Sequence, residues 1–250
     1  MKLLEKCIFF IILCGNIYAD DTIVFPEEIN PFIYIYDEDK DTSGSMEYDN
    51  IYFFPRIRIW GWSSDGKVAY SIQERDNWQR ETWFVRWYIF DFVDDKVLWQ
   101  ETTTRDGRSA VNIHMQAERE LFEEYSYNSN KINEVFSRYN IKNISVPYKF
   151  LPMIFNNKTY VCTVTQIDEN DDYLGINEYT VTVEFNSKKK TVMHKILKES
   201  NLMDDVYLCG YFISPFENRA LLIIAEKDYT FEEYELRYVF TGCHLENGFK

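Results

Sequence analysis

Apolar and polar residues alternate with a period of two over most of this chain, the spacing that sends successive side chains to opposite faces of a β-strand. From residue 51 the pattern predicts consecutive strands. Tyr52–Trp60 mixes aromatic and β-branched residues, with Arg56 and Arg58 set outward. Lys67–Gln73 follows a Ser64-Asp65-Gly66 turn, in which Gly66 supplies the positive φ such a turn requires. Thr82–Asp91 is a long aromatic strand, and Lys96–Gln100 returns beside it across Val93-Asp94-Asp95. These four make an antiparallel meander.

Between Ser109 and Tyr139 the period lengthens to three and four. Ala110, Ile113, Ala117, Leu121 and Tyr125 share one helical face behind a Ser109 cap. Asn128-Ser129-Asn130 interrupts, and Ile132, Val135, Phe136 and Tyr139 resume the stripe. Two successive helices are predicted. After Pro147 the period of two returns in Lys158–Ile167, Glu178–Phe185, Lys190–Ile196, Tyr207–Ile213, Ala220–Ala225 and Glu233–Phe240. Their connections carry Asp, Asn and Gly, as hairpins prefer. The expected fold class is β-rich α+β: two antiparallel β-meanders with a two-helix insert at 109–139, in a single domain over 51–250. Residues 20–50 read as an irregular acidic N-terminal segment.

Residues 1–19 have the layout of a secretory signal peptide. Lys2 and Lys6 give a basic start, Cys7–Cys14 is a short apolar run, and Ile17-Tyr18-Ala19 offers a small residue for cleavage. That run is far shorter than the ~20 residues of a permanent membrane span, so no transmembrane segment is expected in the mature chain. The expectation is an exported protein, periplasmic or secreted, that begins at Asp20. A second reading stays open, in which Cys14 is acylated and the chain is an anchored lipoprotein, although Leu13 is larger than the residue usual before such a cysteine. With cleavage at Ala19, Cys162, Cys209 and Cys243 remain. An odd count allows one bridge and one free thiol. Cys209 and Cys243 could pair if their strands are neighbours, or all three could be buried and unpaired.

Composition narrows the function. Hydrophobic residues make up 46% of the chain and aromatic residues 18%, which excludes a disordered polymer. Lys and Arg total 27 against 41 Asp and Glu, a net charge of −14. Such a surface repels phosphate backbones, so no nucleic-acid partner is expected.

Trp62-Ser-Ser-Asp-Gly-Lys-Val-Ala-Tyr70, followed by Trp87–Phe92 and Lys96–Trp99, resembles a blade of the TolB/PD40 type of β-propeller. Ile213-Ser-Pro-Phe-Glu-Asn-Arg-Ala-Leu221, leading on to Phe240, resembles a degenerate second copy in which Glu217-Asn218 replaces the Asp-Gly. The resemblance implies blade-like sheets. The two copies stand too far apart for evenly repeated blades, so a complete propeller is not implied.

Reactive constellations are thin. Asp37-x-Asp39-x-Asp41 and Asp168-x-Asn170-x-Asp172 alternate oxygen ligands as calcium loops do, but Thr42 and Tyr173 stand where Gly is needed and Tyr48 and Tyr179 where the closing Glu is needed. They read as solvated acidic turns. His114, His194 and His244 fall in no H-E-x-x-H, and there is no G-x-S-x-G elbow or Gly-rich phosphate loop. No catalytic residue, metal or cofactor is therefore nominated. Six tryptophans cluster between Trp60 and Trp99, and Thr82–Asp91 is apolar on both faces, as a strand buried on both faces would be. Trp78, in a polar loop beside Asp76, Asn77 and Gln79, is the candidate binding residue, with Trp60 and Trp62. The expected function is that of a non-catalytic envelope or secreted module, binding another envelope protein or a glycan through an acidic, aromatic surface. The alternatives are an envelope glycan hydrolase using paired carboxylates and a lipid-anchored surface protein held through Cys14.

Overall fold

A computed structural model describes residues 26–31, 55–75, 82–106, 130–168, 175–197, 203, 205–230 and 233–250. The signal-like leader, the Asp37 loop, Trp78 and the first half of the helical insert, with His114, lie outside them. Strands occupy 65% of the described residues. They are β1 (Glu28–Ile29), β2 (Arg56–Trp62), β3 (Lys67–Arg75), β4 (Thr82–Asp91), β5 (Lys96–Asp106), β6 (Met153–Phe155), β7 (Lys158–Asp168), β8 (Ile176–Phe185), β9 (Lys188–Ile196), β10 (Asp205–Ile213), β11 (Arg219–Thr230) and β12 (Glu233–His244).

Three antiparallel sheets result, in the orders β1-β2-β3-β4-β5, β6-β7-β8-β9 and β10-β11-β12. This corrects the expected fold class in two respects. The class is mainly β: in the described part of the insert stands one short helix, residues 130–138, and the first of the two expected helices lies outside the described residues. The chain also makes three meanders where two were expected. The strands after Pro147 split between β9 and β10, since β10 pairs with β11 and β9 ends its own sheet. A lysine run, Lys188–Lys190, marks β9 as an edge that the next strand does not join.

The layers stack in a definite order. Ile57, Ile59, Val68 and Phe90 of the first sheet pack on Phe212, Leu221, Ile223 and Phe240 of β10–β12. The opposite face of that sheet, through Tyr211, Leu222, Ile224 and Cys243, packs on Tyr160, Tyr179 and Val181 of β6–β9. The outer face of the first sheet holds Trp60, Val85 and Trp87 against Ile132 and Val135 of the helix. The three-stranded sheet is therefore the middle layer, which explains why Ala220–Glu226 is buried residue after residue.

Each turn has its local cause. Gly66 has φ 84°, the left-handed conformation that the Ser64-Asp65-Gly66 turn requires. Ser63 Oγ accepts the Lys67 N–H at 2.8 Å, and the Phe92 N–H donates to the Gly66 carbonyl at 3.0 Å, which ties the β2–β3 and β4–β5 turns together.

Short backbone pieces lie along the sheet borders. Lys142 exchanges two bonds with Trp62 at 3.0 and 2.8 Å, Lys149 two with Tyr211 at 3.0 and 2.9 Å, and Lys250 two with Lys189 at 3.1 Å each.

At Gly242 the Phe92 backbone approaches so closely that a Cβ would overlap its carbonyl. Gly242→Ala is expected to lower unfolding free energy by about 2–3 kcal/mol through overpacking at this contact. A urea titration that finds the variant as stable as the parent would show that the two layers are not held that tightly.

Candidate functional site

The sheet β6–β9 covers the middle layer with one face and turns the other outward. Tyr179, Val181 and Val183 point inward and are fully buried, so Glu178, Thr180, Thr182 and Glu184 point outward by the two-residue period. The register aligns neighbours in rows. Thr163 faces Thr182 and Thr182 faces Thr191, while Thr165 faces Thr180 and Thr180 faces His194. Val161, Glu184 and Lys189 close one end of this array, and Ile167, Glu178 and Ile196 close the other. Val161, Ile167 and Ile196 are 52%, 48% and 70% exposed, an unusual concentration of aliphatic surface on one face. Two glutamates against one lysine leave the face close to neutral on a chain of net charge −14.

The hydroxyl, imidazole and carboxylate of Thr180, His194 and Glu178 are neighbours but do not form a relay. Thr180 Oγ1 lies 3.2 Å and Glu178 Oε1 3.8 Å from the same ring nitrogen, Nδ1 of His194. A nucleophile and its orienting acid need opposite nitrogens of the ring. The array therefore offers hydrogen-bonding hydroxyls and aliphatic contact area, not an activated nucleophile.

Buried polar groups fix this sheet to the one beneath. The Tyr179 hydroxyl donates to Glu226 Oε1 at 2.6 Å, and Lys195 Nζ reaches the same oxygen while its charge lies 5.9 Å from the Tyr179 ring centre. Burial, then the Glu226 carboxylate, raise the Tyr179 pKa, so the phenol remains a donor. The Tyr160 hydroxyl donates to the Leu245 carbonyl at 2.9 Å. Lys190 Nζ donates to the carbonyls of His244 and Asn247 at 3.2 and 3.1 Å.

A second junction joins the first sheet to the middle layer. Asp95 accepts the Gly242 N–H at 2.7 Å, and Thr241 Oγ1 stands 3.1 Å from both Asp95 Oδ2 and the Val192 carbonyl. Desolvation raises the Asp95 pKa from its ordinary 3.8, against the lowering effect of the Gly242 and Thr241 bonds.

The aromatic candidates are placed inside. Trp60 and Trp62 are 3% and 0% exposed, so neither offers a ring to a ligand. A bulge between Ile59 and Gly61 puts them on opposite faces of β2. Trp60 packs on Trp87, ring centres 4.8 Å apart, and donates to Ser71 Oγ at 2.8 Å. Trp62 meets Phe92 edge-on at 5.6 Å. Arg56 and Arg58, expected to face solvent, are buried and grip Glu28 at 2.8 and 2.6 Å.

The three cysteines are free thiols. Cys209 and Cys243 are not on neighbouring strands, because β11 runs between β10 and β12; Cys209 also belongs to the first interior cluster and Cys243 to the second. Burial, with smaller contributions from Arg219 and Lys190, lowers the His244 pKa. Its Nδ1 accepts the N–H groups of Glu246 and Asn247 at 3.2 and 3.3 Å, a turn-forming role. Among the described residues no group of three or more His, Cys, Asp or Glu is placed to hold a metal, and no helix is long and apolar enough to cross a membrane.

The threonine rows escaped sequence reasoning, although a signal exists in Thr163-Val-Thr165 and Thr180-Val-Thr182, hydroxyl and aliphatic residues alternating on adjacent strands. No family model matches the chain, and no curated protein or solved structure matches it either.

Asp95 gives a pH test. Its folded pKa lies above the unfolded value, so its stabilising contribution is complete below pH 3.8 and declines as pH rises through the folded pKa. Asp95→Asn keeps an oxygen for the Gly242 N–H and removes the buried charge. The variant should gain stability relative to the parent between pH 3.5 and 7 in paired thermal melts. A difference that stays constant with pH would remove Asp95 as the source.

Proposed function

We propose that this chain is an exported protein of the cell envelope that works by binding another envelope protein through the outward face of β6–β9. The observation that carries this reading is the concentration of Val161, Ile167 and Ile196 around threonine rows on a single, nearly neutral sheet face. β-Branched side chains lose little rotamer freedom when covered, and hydroxyls can donate or accept as a partner demands. The binding surface in this reading is thus aliphatic and hydroxylic, replacing the acidic, aromatic one expected from the tryptophans. Export rests on the basic start, apolar run and Ala19 of the leader. In this reading, the likeness of Trp62–Trp99 to TolB/PD40 blades describes how the scaffold is built rather than what it binds.

Two measurements test the reading. Intact mass of protein recovered from its native host should correspond to a chain starting at Asp20; a start at an acylated Cys14 would make it an anchored protein. A photoreactive residue at Thr180 should give a discrete protein adduct in the host envelope, and Ile196→Asp should reduce that adduct about tenfold while the melting temperature holds. Absence of any adduct, or release of reducing sugar ends from envelope glycans, would overturn the protein-binding reading, the latter in favour of a hydrolase.

A further inference from the structure

We infer that two copies of this chain pair edge to edge along β7, antiparallel about Val164, so that their outer sheets join into one. β6 pairs only with Lys158–Tyr160, and among the described residues no strand continues the sheet beside Val161–Ile167. Phe155 and Lys158 flank a two-residue turn with Asn156 and Asn157 both at positive φ, so Lys158 and then Tyr160 turn their backbone groups toward β6. By the same alternation Cys162, Val164 and Gln166 aim theirs at the vacant border, while Val161, Thr163 and Thr165 bond to β8. No described backbone group meets them at that border. β10 passes in the layer beneath, and the Gln166 side chain reaches its Val206 carbonyl at 2.9 Å, a link between layers that leaves the β7 backbone groups unused. Exposure agrees, since Cys162 and Val164 pack toward the interior yet are only half-buried.

This edge is unguarded, and it matches itself. Sheet edges are ordinarily protected by charged side chains, and β9 carries Lys188, Lys189, Lys190 and Lys195, but Thr159–Ile167 holds no charge. On a chain of net charge −14, an uncharged segment is where a second copy approaches at least cost. Antiparallel pairing about Val164 sets Val161 opposite Ile167 of the second copy and Thr163 opposite its Thr165, and the two-fold axis makes each contact twice. On the outward face aliphatic then meets aliphatic and hydroxyl meets hydroxyl. On the inward side Cys162 faces Gln166, and Val164 faces its own copy. A slip of one residue would set bonding groups against non-bonding ones. A longer slip toward β6 would collide with Met153, which already pairs with Tyr160, and one the other way would leave Val161 uncovered.

Joined in this way, the two outer sheets run in the order β9-β8-β7-β7-β8-β9, and their outward faces become one surface. Self-pairing goes beyond the binding of an envelope partner by that face and does not depend on it. The contact between two short strand segments is small, so the dimer is weak and its population follows concentration.

Sedimentation velocity and amide hydrogen exchange on the purified chain test this. The boundary should move from the mass of one chain toward that of two as concentration rises about a hundredfold through the micromolar range. Over the same range the amides of Cys162, Val164 and Gln166 should become protected, while those of Val161, Thr163 and Thr165, already bonded to β8, should not change. Two double variants at exposed positions probe the register. Thr163→Lys with Thr165→Lys sets lysine opposite lysine twice and should weaken the dimer about tenfold, whereas Thr163→Lys with Thr165→Glu sets opposite charges together and should keep it. The mass of a single chain at every concentration, protection confined to other strands, or the same response from both variants would overturn the inference. The exchange map is read on the parent sequence, so it stands even if a variant fails to fold. Every readout uses pure protein, so the result is separate from whether the outward face finds an envelope partner.

Discussion

Everything in this fold depends on covering β11 from both sides. Ala220–Glu226 is buried along its whole length, so the β10–β12 sheet has no stable existence without a layer above and a layer below. The two interior clusters divide at this sheet. Leu221 and Ile223 face the first layer, Leu222 and Ile224 the third, and the alternation of a single strand assigns each aliphatic side chain to its cluster. Because apolar burial is non-directional, it drives the stacking but does not by itself select the angle or offset between layers.

Directional groups supply that selection. Asp95 locates the β4–β5 turn on Gly242, Tyr160 locates β7 on Leu245, and Glu226 receives Tyr179 and Lys195 from two strands of the outer sheet. A buried carboxylate with only one of these partners would be costly, so the outer sheet gains from docking in the one register that brings both.

Much of this was legible in the residues. The strands after Pro147 were placed because turn chemistry and alternation agree there, and the Gly66 turn was placed because only glycine suits it. The third meander was not legible. Alternation reports that a segment is a strand but not which strand it joins, so β9 and β10 looked continuous until the lysine edge was seen to end a sheet. The bulge between Ile59 and Gly61 was hidden for a related reason, since one extra residue reverses parity with no composition of its own. That reversal places Trp60 and Trp62, named as binding candidates from the clustering of tryptophans, in the interior on opposite faces. Arg56 and Arg58 misled because a cation in a strand ordinarily points to water, and here Glu28, distant in sequence, encloses both. The threonine rows could have been found by asking which hydroxyls share a parity on adjacent strands. The Tyr179–Glu226 contact joins residues 47 apart in sequence, and no local pattern encodes it.

The backbone clips at Trp62, Tyr211 and Lys189, together with the Asp95 carboxylate on Gly242, have a consequence for behaviour at high concentration. A chain composed largely of hairpins is prone to recruiting strands from its neighbours, because every unfilled ladder is a template for fibrous growth. Here the rungs at those positions are already occupied by the molecule's own segments around Lys142, Lys149 and Lys250. A foreign strand would first have to evict them, so the contacts that close the fold also guard the ladder at these positions.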